Sequence, residues 1–418
     1  MTQPEKILGF KCVHCGAEYP QDPFCYTCAA CGNNLDVVYD YRLIGGNWSR
    51  EQLARNPDHS LWRYLPLLPV IDMPENHSLR VGGTPMVALP AIAAGFDLGG
   101  CFIKDDTRNP SGSLKDRASE IAVQHAAQLG ADILVAASTG NAAASLAALT
   151  AFYNRQAVIL APSSAPPAKL TQILQHGAIL CPIESSYDDA FDLAQEVVAA
   201  HGWYSRNTGV NPVLSEGKKT VALEIAEQLD WRVPDWVFVP TGDGCIIGGV
   251  YKGFADLQEL GWIDSLPKIV AVQAEGSAAI VDALESGAEI KPVAVETIAD
   301  SIAVSMPRDG LKALRAVRNT GSFGIKVSDQ EILQAQHSLA AGTGVFSEPA
   351  AAAAYAGFLR CAKDGRLAAG DTAVVLVTGT GLKDIPAARR ILTPPHAIPA
   401  DLDAFDAFIK GKLVQEQR

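Results

Sequence analysis

The fold prediction rests first on residues 131–164, ADILVAASTGNAAASLAALTAFYNRQAVILAPSS. An apolar run at 131–138 leads into a small polar loop. An alanine- and leucine-rich run follows, and then a second apolar run at 157–164. Short continuous apolar strands joined by helices are typical of parallel sheets that are covered on both faces. The stretch therefore predicts a strand, a helix and a second, parallel strand.

The same alternation continues along the chain. Further apolar runs lie at 178–185, 236–244, 268–276 and 373–381, with helix-like runs between them. We expect an α/β protein with mostly parallel sheets. A chain of 418 residues, 48% of them hydrophobic, is long enough for two or more domains.

Three of the predicted strands end in polar or glycine-rich loops: STGNAA (138–143), PTGDGCIIGG (240–249) and VTGTGLKD (377–384). In open α/β sheets, ligands bind outside the carboxyl ends of the strands, so these loops are predicted to meet at one ligand. Glycines and a following helix start at 240–249 favour an anion such as phosphate. The alternative is a tight strand-to-helix turn that only glycine can form.

Lys115 lies in NPSGSLKDRAS (109–119), after a strand-like run and before an amphipathic run from Ala118 to Leu129. A lysine near a helix start has a lowered pKa, because the helix end disfavours its protonated form. A neutral amine can form a Schiff base with a carbonyl cofactor. Together with a phosphate-binding loop, this indicates pyridoxal phosphate; the alternative is a solvated surface charge.

Several motifs resemble, in the same order, those of the threonine synthase group, which belongs to the tryptophan synthase β-like (fold type II) pyridoxal phosphate enzymes. They are NPSGSLKDR, ASTGNAAAS, NPVLSEGKKTVALEI, PTGDGCIIGGVYKG, FSEPAAAAA and VTGTGLKD. The resemblance implies two three-layer domains with the cofactor between them. The expected boundaries are an N-terminal zinc-ribbon-like segment at 1–45, a large domain at 46–100 and 206–395, a smaller domain at 101–205, and a C-terminal tail at 396–418.

The resemblance also implies roles for individual residues. Lys115 would hold the cofactor and act as the catalytic proton carrier, and Asn141 would contact the hydroxyl of the cofactor ring. For Asn141 a helix N-cap is the other interpretation, and both roles can hold at once. Thr378 would face the pyridine nitrogen. The substrate carboxylate is expected at Ser138, Thr139, Gly140 and Asn141, and the cofactor phosphate at Gly242, Asp243, Gly244, Cys245 and Ile246.

Some positions depart from the family pattern. Leu214, in NPVL, stands where threonine synthases often carry an arginine that helps to bind the substrate phosphate, and Ala142 replaces a hydroxyl that faces the substrate. Asp243 would repel a phosphate, so its side chain is expected to point away. The cations considered as replacements for the arginine are Arg206, Lys218 and Lys219.

Two cysteine pairs, CVHC (12–15) and CAAC (28–31), lie near the N-terminus. Their spacing is suited to tetrahedral zinc bound by Cys12, Cys15, Cys28 and Cys31. We expect a structural Zn²⁺ that is remote from the chemistry. The alternative is a small apolar subdomain with free thiols, and Cys25 is a candidate fifth participant.

The formal net charge of −12 argues against a nucleic-acid partner, because such binding depends on neutralising phosphates. No apolar run approaches the about 20 residues that a membrane span needs, and the N-terminus lacks a signal-peptide pattern. We expect a cytoplasmic enzyme that acts on a small amino acid. The resemblance further implies a homodimer.

The function favoured at this point is threonine synthase, a carbon–oxygen lyase that converts O-phosphohomoserine and water into threonine and phosphate. The first alternative is a β-eliminating ammonia-lyase acting on threonine or serine. The second is a related β-replacement, such as cysteate synthesis. A zinc-ribbon interaction module fused to an inactive enzyme body is the alternative from another class, and the presence of Lys115, Asn141 and Thr378 argues against it.

Overall fold

A computed structural model describes residues 5–22, 25–165 and 167–416 of the chain. Residues 1–4 and 23–24 of the predicted N-terminal segment, residue 166, and residues 417–418 of the predicted tail lie outside the described residues. Within the described ranges, no helix is both long enough and apolar enough to cross a membrane.

Thirteen strands are present in the described part of the chain. They are β1 (Ile7–Cys12), β2 (Glu18–Tyr19), β3 (Leu35–Tyr39), β4 (Met86–Ala88), β5 (Gly100–Asp105), β6 (Ile133–Ala137), β7 (Gln156–Pro162), β8 (Ile179–Ile183), β9 (Tyr204–Ser205), β10 (Trp236–Pro240), β11 (Lys268–Ala274), β12 (Gly324–Val327) and β13 (Thr372–Val377).

Fifteen α-helices lie in the same ranges. They are α1 (Tyr41–Asn47), α2 (Arg50–Ala54), α3 (Pro90–Gly95), α4 (Lys115–Gln128), α5 (Asn141–Phe152), α6 (Pro167–Gln175), α7 (Tyr187–His201), α8 (Val213–Gln228), α9 (Cys245–Glu259), α10 (Ala279–Ser286), α11 (Gly310–Asn319), α12 (Asp329–Thr343), α13 (Pro349–Lys363), α14 (Ile385–Ala388) and α15 (Leu402–Glu416).

The strands form three sheets. A six-stranded sheet has the order β12-β11-β10-β13-β5-β4, and all its pairs are parallel except β4 with β5. A four-stranded sheet has the order β8-β7-β6-β9 and is parallel throughout. The N-terminal segment forms a small antiparallel sheet, β2-β1-β3. The predicted α/β class with mostly parallel sheets is confirmed.

Both faces of the six-stranded sheet are buried. Side chains alternate along a strand, so neighbouring residues enter opposite cores. In β10, Val237 and Val239 pack in the core that also holds α8, α9 and α11, whereas Trp236 and Phe238 pack in the core beneath α13. This burial explains why the strands are continuous apolar runs in the sequence.

The sheets support a division into two α/β domains, which we retain as a proposal. The predicted boundary at residue 101 falls inside β5, and β5 pairs with β13 of the six-stranded sheet. We therefore propose that the smaller domain, built on the four-stranded sheet, begins after residue 105.

The N-terminal sheet contacts both parts of the body. On one side, Asn34 Nδ2 donates to the carbonyl of Gly209, 2.5 Å away, just beyond β9. On the other side, Lys312 Nζ of α11 donates to the carbonyl of Leu35 at 2.9 Å, and Asp36 forms an ion pair with Arg315 of the same helix. The segment is thus fixed to the region just after β9 and to α11, the helix between β11 and β12.

Candidate active site

A cavity of about 930 Å³ lies at the carboxyl ends of β6 and β10. Two of the three predicted loops, 138–143 and 240–249, open into it. The third loop, 377–384, does not line this cavity; its residues 382–384 line a neighbouring cavity together with Asn141 and Glu348. The lining includes ten of the predicted site residues, namely Lys115, Ser138, Thr139, Gly140, Asn141, Gly242, Asp243, Gly244, Cys245 and Ile246. The geometry therefore brings the lysine, the polar loop and the glycine loop together, as the rule for α/β sheets predicts.

Lys115 is the first residue of α4, and the loop before it is held from two directions. The backbone N–H of Leu114 donates to the carbonyl of Thr378 at 2.8 Å. Within the loop, the backbone N–H of Ser111 donates to Asp116 Oδ2 at 2.7 Å. These contacts fix the position from which the amine enters the cavity.

Burial lowers the pKa of Lys115, and the nearby positive charge of Arg206 acts in the same direction. Cys245 and Glu348 act in the opposite direction. The direction is the one expected from the sequence, although burial is the largest cause. A buried amine with a lowered pKa spends more of its time neutral, which is what covalent attachment to a carbonyl cofactor requires.

The polar loop connects β6 to α5. Gly140 is the N-cap of α5 and Asn141 its first residue, and no side chain caps this helix start. The interpretation of Asn141 as a helix N-cap is therefore wrong. Uncapped N–H groups at a helix start bind a carboxylate well, since they combine hydrogen-bond donors with the positive end of the helix dipole.

The side chain of Asn141 instead contacts the six-stranded half of the molecule. Its Nδ2 lies 2.9 and 3.0 Å from the two carboxylate oxygens of Glu348. Glu348 immediately precedes α13 and is buried. Burial raises the pKa of Glu348, and its hydrogen bond from Asn141 opposes this.

Glu348 was not predicted as a site residue, although FSEPAAAAA contributed to the resemblance. Its only local signal is an acidic residue before a proline at the start of an alanine-rich helix. That pattern is common at helix starts. It indicates a site only once the structure shows that Asn141 contacts Glu348.

The glycine loop connects β10 to α9. Gly244 has φ of +92° and is the N-cap of α9, with no side-chain cap, and a Cβ at this residue would lie 2.6 Å from the carbonyl oxygen of Asp309. Only glycine fits such a position. Cys245 and Ile246, which begin α9, line the cavity, and the N–H groups at such a helix start are suited to a phosphate.

The carboxylate of Asp243, in the same loop, is hydrogen-bonded to a neighbouring segment of the protein. Its Oδ1 accepts a hydrogen bond from the backbone N–H of Arg308 at 3.2 Å, and its carbonyl accepts one from Asp309 at 2.8 Å. Burial raises the pKa of Asp243. Its carboxylate is thus hydrogen-bonded to residue 308, but Asp243 also lines the cavity, and the expectation that its side chain points away from the anion stays a prediction.

Thr378 follows β13 and is buried, but it is not among the residues that line the cavity. Its carbonyl oxygen supports the lysine loop through Leu114, as described above. The predicted role of its hydroxyl, facing a pyridine nitrogen, stays a prediction.

The three cations proposed to replace the missing arginine differ in their surroundings. Lys219 forms ion pairs with Glu216 and with Asp256, and the second distance is 2.5 Å. Burial lowers the pKa of Lys218 to about 8 and that of Arg206 to about 10. None of the three lines the cavity.

Leu214 is 1% exposed and packs in the core of the smaller domain, so this position does not contribute to the cavity. Ala142, the other departure, does line it.

The four N-terminal cysteines form one cluster. The sulfur atoms of Cys12, Cys15, Cys28 and Cys31 all lie within 4.8 Å of one another. Three of the sulfur–sulfur distances are 3.5–3.6 Å, near the about 3.8 Å expected around a tetrahedral zinc with 2.3 Å bonds. Cys25 does not belong to the cluster. The donor set fits Zn²⁺.

Comparison with known proteins places the chain among related sequences. Residues 77–379 match the family described as "Pyridoxal-phosphate dependent enzyme". A threonine synthase of Methanocaldococcus jannaschii is 37% identical over 96% of this chain and 99% of its own length. A threonine synthase of Methanosarcina acetivorans is 38% identical over 96% and 98%.

Solved structures resemble the fold at lower identity. Threonine deaminase isoform 2 from Solanum lycopersicum has a TM-score of 0.63 at 21% identity, and the match covers 73% of this chain and 86% of that one. An L-serine ammonia-lyase from Rhizomucor miehei has a TM-score of 0.63 at 24% identity, with 74% and 98% covered. These similarities support the fold alone.

Proposed function

The chain belongs to the pyridoxal-phosphate-dependent enzymes and, within them, to the threonine synthase group, and from this premise we propose that it converts O-phosphohomoserine and water into threonine and phosphate. The observation that carries the proposal is the shared cavity of Lys115, the loop at 138–141 and the loop at 242–246. These three elements supply an amine and two anion-binding helix starts, which fit the cofactor and an amino acid.

When bound, pyridoxal phosphate supplies an electron-withdrawing ring that makes protons next to the amino group of a substrate easier to remove. The glycine loop, Gly242 to Ile246, would hold the cofactor phosphate through backbone N–H groups. Asn141 would contact the ring hydroxyl, with its amide oriented by Glu348. Lys115 would hold the cofactor by its amine.

Lys115 also moves the protons. Because burial lowers its pKa, the amine is able to accept the Cα proton of the substrate and to return a proton later. The start of α5 binds the substrate carboxylate, which fixes the orientation of Cα relative to Lys115. Overall, Cγ exchanges its phosphate for a hydrogen, Cβ exchanges one hydrogen for the hydroxyl of water, and the products are threonine and phosphate.

The alternative with specific support is a β-eliminating ammonia-lyase. It is favoured by Ala142, which lines the cavity without the hydroxyl that faces the substrate in the family pattern. Purified protein should therefore be tested with O-phosphohomoserine, threonine, serine and O-phosphoserine with sulfite, while phosphate, ammonia, keto acid and the amino-acid products are measured. Deamination of threonine without phosphate release from O-phosphohomoserine would overturn the synthase proposal.

Two further properties belong to the proposal. The cysteine cluster holds one structural Zn²⁺, and the short distances between its four sulfur atoms support this. The enzyme is a cytoplasmic homodimer, as the resemblance to the family implies; sedimentation of the purified protein and fractionation of cells test these two points.

A further inference from the structure

The cavity contains a cation that the sequence did not single out. Among its described lining residues, the positive side chains are Lys115 and Arg308, whereas four aspartates, Asp188, Asp192, Asp243 and Asp300, also line it. A substrate with a dianionic phosphate must meet a positive charge in such surroundings, because like charges repel strongly at close range.

Arg308 is held by its backbone and its stem, while its side chain remains partly exposed. Its N–H donates to Asp243 Oδ1 at 3.2 Å. Its side chain packs against Gly209, where a Cβ would lie 2.6 Å from the Cβ of the arginine. The guanidinium carbon lies 3.7 Å from the centre of the Phe191 ring, and the side chain is 28% exposed.

The guanidinium of Arg308 forms an ion pair with Asp188, an exposed residue. Arg308 Nη2 lies 2.6 Å from Asp188 Oδ1, and the side chain of Asp188 is 75% exposed. An ion pair with so exposed a carboxylate contributes little to stability. The phosphate group of a phosphomonoester has three terminal oxygens and can accept two parallel hydrogen bonds from one guanidinium. It therefore competes well with Asp188 for Arg308.

We propose that Arg308 binds the γ-phosphate of the substrate, exchanging Asp188 for it. This assignment rests on the proposed function. Lys219 is unsuitable because its charge is already balanced by Glu216 and Asp256. Lys218 and Arg206 are not among the residues that line the cavity.

The test compares Arg308→Gln and Asp188→Asn in the cofactor-loaded enzyme. Arg308→Gln should raise KM for O-phosphohomoserine, and the inhibition constant of inorganic phosphate, by about 10- to 100-fold, since a charged bidentate contact is lost. Asp188→Asn should lower both constants, because the competing carboxylate is gone. Arg308→Lys should be intermediate, since it keeps the charge but not the paired donors.

Arg366→Gln is the matched control, an arginine at an aromatic ring elsewhere on the surface, and it should leave both constants unchanged. Each variant should retain the near-visible absorbance of the parent, which shows that the cofactor site is intact. If the parent forms threonine and neither Arg308→Gln nor Asp188→Asn changes KM or phosphate inhibition, the assignment of Arg308 is overturned and the function stands. If the parent does not use O-phosphohomoserine, both are overturned.

Discussion

Glu120, in the helix that begins with Lys115, should make the protein less stable as the pH rises from 5 to 8. Its carboxyl is 2% exposed, and its Oε1 accepts hydrogen bonds from Trp62 Nε1 at 2.8 Å and from the Tyr153 hydroxyl at 2.5 Å. Its Oε2 is buried without a partner among the described residues. Burial raises the pKa of Glu120 from 4.5 to about 7, and the two hydrogen bonds oppose the rise.

The sign follows from the direction of this shift. Because the folded state binds the proton more tightly, the stabilisation is present below the pKa of the unfolded chain and is lost as the pH rises through the pKa of the folded state. Each pH unit between these two values corresponds to about 1.4 kcal/mol. The free energy of unfolding should therefore fall by about 2–3 kcal/mol between pH 5 and pH 8 through this carboxyl alone.

Glu120→Gln removes the titration and keeps the acceptor for Trp62 and Tyr153. Urea unfolding, followed by fluorescence at pH 5 and at pH 8, measures the difference between variant and parent. Between pH 5 and pH 8, the free energy of unfolding of the variant should rise by about 2–3 kcal/mol relative to that of the parent. Glu184→Gln, at an exposed position, is the control and should change in parallel with the parent. A Glu120→Gln variant that also changes in parallel would refute the reasoning.

Three further predictions concern the site and the cysteine cluster. Borohydride reduction followed by peptide mapping should locate the pyridoxyl group on Lys115, and Lys115→Ala should lose both the label and activity; a label on another lysine would contradict the assignment. Glu348→Gln removes a negative charge near Lys115 and should lower the pH midpoint at which the near-visible absorbance changes, because an anion stabilises a nearby cation; an unchanged midpoint would show that Glu348 carries no charge there. Metal analysis of protein made with zinc should give one ion per chain, and Cys28→Ser should reduce it and make the N-terminal segment more sensitive to protease while phosphate release changes less; zinc-free parent protein would count against the site.

The strands and loops were predictable because their signals are local. The runs at 131–138 and 373–381 correspond to β6 and β13 in the structure. They were recognisable because strands that are buried on both faces read as nearly continuous apolar runs. Lys115 and the cysteine pairs were found because their chemistry constrains their immediate neighbours in sequence.

The missed features depend on contacts between distant segments. Glu348 and Asn141 are 207 positions apart in sequence, and only the folded structure brings them into hydrogen-bond contact. Lys218 and Lys219 are neighbours in α8, but successive residues of a helix point about 100° apart. Lys219 therefore enters an ion-pair network, whereas Lys218 forms no ion pair with any residue that the structure describes. Arg308 had no signal, because nothing in its sequence neighbourhood indicates that its side chain lines a cavity.

The N-terminal sheet has a consequence for motion as well as for folding. It is hydrogen-bonded through Asn34 to the segment after β9 and through Leu35 to Lys312 of α11. A hinge rotation that widened the cavity by separating these two regions would have to break one set of contacts, at about 1 kcal/mol for each hydrogen bond. Residues 34 and 35 would therefore oppose such a rotation, although neither of them lines the cavity.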